Sequence, residues 1–165
     1  MKDKKTLLFV LFSVVMIAVD QVLKVWATAA LAPIGQADLI PGFLGLQYVL
    51  NDGMAFSMFE GARWLLVVVT SIALVLLVGY VVVKKPTGLF FWACACLFAG
   101  GVGNLIDRIR TGLVVDYLAF QFVSFPVFNF ADILVTTGAG LLLLWAVLDT
   151  IQERKKAKEQ PNGTA

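Results

Sequence analysis

Four long apolar runs limit what this chain can fold into. They cover residues of about 6–30, 64–83, 89–106 and 133–151. A helix of roughly 20 apolar residues is long enough to cross the hydrocarbon core of a bilayer. The chain is also 60% hydrophobic, which is above the range of ordinary soluble domains. We therefore predict a mainly α integral membrane protein, with a single membrane domain over residues 1–165 that forms a four-transmembrane-helix bundle.

Clusters of lysine and arginine lie before the first run, between the second and third runs, and after the fourth. Such clusters mark the cytoplasmic side of a membrane protein. Both termini should therefore be cytoplasmic, with a charged and frayed tail over 152–165, and the segments 31–63 and 107–130 should face the opposite side. The residues concerned are Lys2, Lys4 and Lys5, then Lys84 and Lys85, then Arg154, Lys155, Lys156 and Lys158.

The two extracytoplasmic segments contain short stretches that favour β structure. Residues 46–50 (LQYVL) and 114–117 (VVDY) are rich in β-branched and aromatic side chains, and proline and glycine interrupt the rest of 31–63. We predict a small extracytoplasmic β-cradle and loop resting on the outer leaflet. Side chains of the 31–63 segment and its edge that could enter the membrane interface are Phe43, Phe56, Met58, Phe59 and Trp64.

The first apolar run also resembles a cleavable secretory signal, because it has a basic start and small residues at 27–29. Asp20 and Lys24 favour a retained helix instead. They are four residues apart, so they share a helix face and can pair. The alternative is an ordinary interfacial pair in which Lys24 reaches toward the lipid headgroups.

The chain contains no histidine. This excludes a Ser-His-Asp triad, a Cys-His pair and most histidine-based zinc sites. Cys94 and Cys96 are two residues apart in the third run, so a helix would point them to different faces. We interpret them as small packing residues. Acid-base chemistry in this chain must therefore come from carboxylates or lysine.

Asp116 and Asp132 are the strongest candidates for that chemistry. An ionisable side chain in or beside hydrocarbon is costly and is a functional hypothesis by default. Asp116 belongs to the predicted strand, whereas Asp132 lies at the third position of the fourth helix, where Asn129 could be the N-cap of a capping box. Two carboxylates brought together in a poorly hydrated site should share one proton at neutral pH. A purely structural capping role for Asp132 is the alternative.

Polar residues also gather at the end of the third run. Asn104, Asp107 and Arg108 lie three and four residues apart, and the glycines at 100, 101 and 103 would allow a neighbouring helix to come close. The glycines do not form a dinucleotide-binding loop, because the third glycine and a preceding strand are missing. A plain Asp107–Arg108 pair anchoring the helix end is the alternative.

On the residues alone, several functions remain open. A proton-sharing aspartate pair can activate water for peptide hydrolysis. A magnesium-dependent phosphotransferase would use Asp107, Asp116 and Asp132 as oxygen ligands. A proton or ion conduit would be lined by Asp20, Lys24, Asp107 and Asp132. A more distant alternative is a serine-lysine peptidase with Lys24 as the base and Ser57 or Ser124 as the nucleophile.

Five short motifs in order resemble the lipoprotein signal peptidase family, also called signal peptidase II. They are Asp20-Gln21-x-x-Lys24, Asn51-x-Gly53-x-Ala55-Phe56, Gly103-Asn104-x-x-Asp107-Arg108, Val115-Asp116-Tyr117 and Phe128-Asn129-x-Ala131-Asp132. Each motif is weak alone, but the five together are specific. Ile133 departs from the family pattern, in which a small residue, often serine, is expected after Asp132, and this departure concerns only the expected local packing.

The resemblance implies a bacterial inner-membrane aspartic endopeptidase that removes the signal peptide from diacylglyceryl-modified prolipoproteins at the lipobox cysteine. By resemblance, Asp116 and Asp132 are the catalytic pair. The expected partners are these substrates, membrane lipids and cyclic peptide inhibitors such as globomycin, with no nucleic acid, metal or cofactor. The residues implied to bind substrate or support the site are Asp20, Lys24, Asn51, Gly53, Asn104, Asp107, Arg108 and Asn129.

Overall fold

The computed structural model describes residues 2–53 and 61–159, with the backbone alone for residues 2, 3 and 157–159. Four helices run through it: α1 (Lys2–Ala30), α2 (Arg63–Lys84), α3 (Gly88–Arg110) and α4 (Phe130–Glu159). All four are long and apolar enough to cross a membrane. The predicted four-helix membrane fold is therefore confirmed.

All four helices extend beyond the predicted apolar runs, and the extensions at the ends of α3 and α4 are informative. The third helix continues to Arg110 instead of ending at 106. Asp107 and Arg108 can remain helical because Asp107 pairs with Lys24 and Arg108 donates to the Gly53 carbonyl. The fourth helix continues to Glu159, so residues 152–159 are helical where we predicted a frayed tail. Their arginine, lysine, glutamate and alanine residues favour helix. Residues 160–165 lie outside the described part of the chain.

Three antiparallel strands form one sheet in the order β1-β2-β3. These are β1 (Gln36–Ile40), β2 (Leu44–Asn51) and β3 (Val114–Phe120). The β-prone stretches 46–50 and 114–117 lie in β2 and β3, as predicted. The sequence analysis missed β1, whose short QADLI segment has mixed polarity and lies between Gly35 and Gly42, two glycines with positive φ. A hairpin turn with Gly42 at its bend joins β1 to β2.

Helix α3 is the centre of the bundle. It packs against the other three helices, and α4 is its most extensive neighbour. Most of its buried residues are small, which lets the neighbouring backbones come close. A Cβ on Gly100 would collide with the Ala131 carbonyl oxygen, and one on Gly103 would lie 2.6 Å from Asp20 Oδ2. The predicted packing role of these glycines is confirmed.

The two cysteines are buried, and neither forms a disulfide. Cys94 packs with Phe9 and Phe91, whereas Cys96 packs in a separate cluster with Ala99 and Leu134. Their assignment as packing residues on different helix faces is confirmed.

The sheet lies over one end of the bundle. Tyr117 of β3 packs with Ala27 and Leu31 at the end of α1. The end of α3 and the start of α4 meet at the same place, where Ala131 lies against Gly100 and Gly103. The polar residues of the sequence motifs are therefore brought together at this end.

Candidate active site

Asp116 and Asp132 are both bound by one residue, Asn129, which uses its side chain for one carboxylate and its backbone for the other. The Asn129 Nδ2 donates to Asp116 Oδ1 at 2.6 Å. The Asn129 backbone N–H donates to Asp132 Oδ2 at 3.0 Å, and the Asp132 backbone N–H donates back to Asn129 Oδ1 at 3.0 Å. The second pair of bonds is a reciprocal capping box at the start of α4, as the sequence predicted. The capping role of Asp132 therefore coexists with its link to Asp116 through Asn129.

Asp116 is almost completely enclosed, with 2% of its surface exposed. The Asn51 Nδ2 donates to its other oxygen, Oδ2, at 2.9 Å. Burial raises the pKa of Asp116 from 3.8 to about 6, and the negative charge of Asp132 acts in the same direction. The hydrogen bonds from Asn51 and Asn129 oppose this rise in pKa. The environment of Asp116 therefore favours its protonated form far more than water does.

Tyr117 supports the same region from the opposite face of β3. Its hydroxyl oxygen accepts a hydrogen bond from the Phe130 backbone N–H at 3.2 Å. Burial raises the pKa of Tyr117, so the phenol stays neutral. This contact ties the strand that carries Asp116 to the first turn of the helix that carries Asp132.

Lys24 is the centre of a buried polar cluster that supports Asn104. Its ammonium lies 2.9 Å from Asp20 Oδ2, 2.8 Å from Asp107 Oδ2 and 2.8 Å from Asn104 Oδ1. Asn104 in turn donates from Nδ2 to Asp132 Oδ1 at 2.8 Å. The predicted Asp20–Lys24 pair exists, but Lys24 is only 3% exposed. The alternative of a lysine reaching toward the headgroups is therefore wrong.

Asp20 also caps the fourth helix from a distance. Its Oδ1 accepts the Ala131 backbone N–H at 3.0 Å, although the two residues are 111 positions apart. A carboxylate at a helix N-terminus is favoured by the unpaired N–H groups there. Asp20 is completely buried, and the absence of a side chain at Gly103 leaves room for it. Helices α1, α3 and α4 are joined at this point.

Arg108 connects the end of α3 to the segment after β2. Its Nη2 donates to the Gly53 carbonyl at 2.8 Å, while the Gly53 N–H donates to Asn51 Oδ1 at 2.9 Å. The second bond is the side-chain turn expected of Asn-x-Gly. The alternative of an Asp107–Arg108 anchor is wrong, because Asp107 pairs with Lys24 instead.

Two polar residues of this network had no role assigned from sequence. The Gln21 Nε2 lies 3.1 Å from Asp107 Oδ1 and 3.2 Å from the Gly103 carbonyl. Arg63 donates from Nε to the Arg108 carbonyl at 2.8 Å and from Nη2 to the Ile109 carbonyl at 2.6 Å. The position of Gln21 next to Asp20 in the sequence could have indicated its part in the network. Nothing in the sequence around Arg63 indicated its contacts with α3.

The remaining sequence candidates are placed less favourably. Ser124 is exposed, and the Lys24 ammonium is held by two carboxylates, which does not suit a serine-lysine pair. The carboxylate of Asp107 is bound by Lys24 and Gln21. Within residues 2–53 and 61–159, no group of three histidine, cysteine or acidic side chains is arranged to hold a metal. The candidates Phe56, Ser57, Met58 and Phe59 lie outside the described residues.

Each of the four carboxylate oxygens of Asp116 and Asp132 thus accepts one amide hydrogen bond. A carboxylate oxygen has two lone pairs, so each retains one for a proton or a water molecule. The guanidinium of Arg108 adds a positive charge that interacts with both aspartates. Neutral amide groups therefore bind both carboxylates, and within the described part of the chain neither carboxylate forms an ion pair.

Comparison with known proteins identifies the family. The family model described as "Signal peptidase (SPase) II" matches residues 12–148, which include every site residue described above. The chain belongs to the signal peptidase II family. The resemblance suggested by the five sequence motifs is therefore confirmed.

Individual relatives are similar in sequence to this chain over most of their length. The lipoprotein signal peptidase of Lactococcus lactis subsp. lactis is 39% identical over 88% of this chain and 97% of its own length. That of Symbiobacterium thermophilum is 42% identical over 86% of this chain and 95% of its own. A solved bacterial membrane enzyme superposes with a TM-score of 0.80, at 33% identity over 86% of this chain and 88% of its own. The chain is thus a membrane aspartic peptidase by family, with several membrane-spanning helices.

Proposed function

We propose that this signal peptidase II cleaves signal peptides from diacylglyceryl-modified bacterial prolipoproteins, at the lipobox cysteine, with Asp116 and Asp132 as the catalytic pair. The observation that carries the proposal is that Asn129 donates hydrogen bonds to both carboxylates, from its side chain to Asp116 and from its backbone N–H to Asp132. The relatives reported above are named lipoprotein signal peptidases, which supports the substrate class.

The environments of the two aspartates suggest separate roles. Asp116, whose pKa is raised to about 6, is assigned the proton in the reactive form of the pair. Asp132 lies at a helix N-terminus that stabilises its negative charge. Asp132 takes a proton from water as the water oxygen attacks the scissile carbonyl carbon, and Asp116 gives its proton to the carbonyl oxygen. The C–N bond then breaks as the proton on Asp132 passes to the leaving amine, and the hydroxyl proton of the intermediate returns to Asp116.

The surrounding polar residues position the pair. Lys24, held by Asp20 and Asp107, fixes the amide of Asn104, whose Nδ2 then faces Asp132. Asn51 orients Asp116 in the same way. Arg108 and Gly53 keep the segment after β2 close to the site.

The site faces away from the cytoplasm in this proposal, at the outer face of the bacterial inner membrane. The basic clusters at the opposite end of the helices support this orientation. A lipid-modified substrate would arrive laterally through the outer leaflet, with its signal helix in the membrane. Cyclic peptide inhibitors such as globomycin would occupy the same aspartate pair.

The deciding experiment compares purified wild type with Asp116→Asn and Asp132→Asn on a diacylglyceryl-modified prolipoprotein. We expect each variant to stay folded and to lose about 100-fold or more in cleavage rate, since each removes an acid-base group. Asp149→Asn, at an exposed position of α4, is the matched control and should cleave normally. Wild-type cleavage should persist in EDTA. Near-normal cleavage by either site variant would remove that aspartate from the mechanism, and loss of cleavage in EDTA would favour a metal-dependent enzyme.

A further inference from the structure

Five phenylalanines form a continuous cluster at the free end of the sheet, which we call the phenylalanine tip: Phe43, Phe120, Phe122, Phe125 and Phe128. The ring of Phe120 contacts the other four, at centroid distances of 5.1–6.3 Å. Phe43 and Phe122 are stacked at 5.2 Å with an angle of 8° between their planes. The tip therefore joins the β1–β2 turn to the segment that follows β3.

The phenylalanine tip is exposed despite its apolar character. Phe122 is 61% exposed, and Phe43 and Phe125 are each 50% exposed. No charged residue occurs between positions 118 and 131. An exposed apolar patch of this kind marks a contact with a partner or a membrane.

The position of the tip indicates which contact this is. The backbone of Phe128 pairs with Leu118 of β3, and Phe128 directly precedes Asn129, the cap of the membrane-spanning helix α4. The tip is thus continuous with the point where α4 enters the bilayer. Its other end lies beyond the bundle, since Phe120 is three residues, or about 10 Å of strand, past the Tyr117 contact with α1.

We propose that the phenylalanine tip inserts into the outer leaflet at the level of the lipid headgroups and the first acyl carbons. Aromatic rings are favoured at this depth. Asp116 lies four residues before Phe120 on the same strand and the same face of it, about 13 Å away. Anchoring the tip in lipid would therefore set the height of Asp116 above the bilayer.

The depth of the tip can be measured directly. A nitroxide spin label would be attached at Phe122→Cys in a Cys94→Ala/Cys96→Ala background, with the protein in phospholipid nanodiscs. We expect the label to be relaxed more by oxygen, which concentrates in lipid, than by a water-soluble nickel complex. A label at Gln47→Cys, an exposed polar position of β2, should show the opposite preference. A water-accessible label at position 122 would overturn the proposal. The proposal would also fail if the label became lipid-exposed only after lipidated substrate was added, because the tip would then contact substrate and not the bilayer.

A second measurement addresses the consequence for cleavage, and this part rests on the proposed function. Phe43→Ser/Phe122→Ser should cleave prolipoprotein in bilayers at least several-fold more slowly, and Phe43→Leu/Phe122→Leu should restore the rate. A short lipidated peptide in detergent, where no bilayer sets the height, should be cleaved equally by all three proteins. Equal rates in bilayers would refute the role of the tip in setting the height. If wild type cleaves neither substrate, the proposed function fails, whereas the depth measurement still decides the insertion.

Discussion

Asn129 contacts both aspartates with separate groups, and it is completely buried. Its side-chain NH2 donates to Asp116 and also lies 3.2 Å from Asn104 Oδ1. Its side-chain oxygen and its backbone N–H are both used by Asp132. The relative placement of the two carboxylates therefore depends on one residue, through its side-chain amide for Asp116 and its backbone N–H for Asp132.

The raised pKa of Asp116 predicts a specific dependence of stability on pH. Because the folded state holds the Asp116 proton more tightly than the unfolded state, the free energy of unfolding should fall as pH rises from 3.8 to about 6. The full effect is at most about 3 kcal/mol. Asp116→Asn cannot ionise, so its melting temperature relative to wild type should increase across this range and then level off. A difference that stays constant from pH 4 to 8 would contradict the prediction.

At the scale of elements, the site depends on how closely α1 and α4 approach α3. Lys24 of α1 pairs with Asp107 of α3, and Asp20 of α1 caps α4. These buried charges are tolerable only because each one is matched by a partner at hydrogen-bonding distance. The glycines of α3 provide the space for that contact.

Gly103→Ala tests this close approach. The added Cβ would lie 2.6 Å from Asp20 Oδ2 and 3.2 Å from Ala131 Cβ, so Asp20 and the start of α4 must shift away from α3. We expect a loss of stability of about 1–3 kcal/mol and a lower rate of prolipoprotein cleavage, measured by thermal unfolding in detergent and by single-turnover assay.

Gly140→Ala is the control for that substitution. It is also a helix glycine, but its Cβ would meet nothing within 4 Å. The better helix propensity of alanine should leave it as stable as wild type or up to about 1 kcal/mol more stable. If the two variants unfold and cleave alike, close packing at Gly103 does not support the site.

At the scale of the whole molecule, the two ends of the bundle differ in chemistry. The sheet, the aspartates and the phenylalanine tip occupy one end. The opposite end carries Lys4 and Lys5 on α1, Lys84 at the end of α2, Lys85 directly after it, and Arg154, Lys155 and Lys156 on α4. This asymmetry is the basis for the proposed orientation in the membrane.

Labelling of single cysteines in intact bacterial cells would test the orientation. With a membrane-impermeant maleimide, Gln47→Cys on the sheet should react in intact cells. Lys155→Cys near the end of α4 should react only after the cells are permeabilised, because we expect it to face the cytoplasm. The native Cys94 and Cys96 are buried in α3, so labelling of the protein without an added cysteine gives the background signal. Reaction of Lys155→Cys in intact cells would reverse the predicted topology.

Local sequence determined the features that depend on neighbouring residues. The lengths of the apolar runs predicted the helices, since crossing a bilayer requires a minimum number of residues. The spacings of Asp20 with Lys24 and of Asn129 with Asp132 predicted a helical pair and a capping box, because both partners lie within about one helical turn. The first strand lacked such a pattern and was missed.

Tertiary structure alone decided which buried polar groups share a partner. Lys24 forms an ion pair with Asp107 and does not reach a lipid headgroup. Asp20 accepts a hydrogen bond from the backbone of Ala131, which is 111 residues away in sequence. Neither contact has a local signal, because it exists only where three helices approach closely enough for a side chain to cross between them. In a region with little water, a charged group must find such a partner. The packing of the helices, more than the spacing of the motifs, therefore assembles the site.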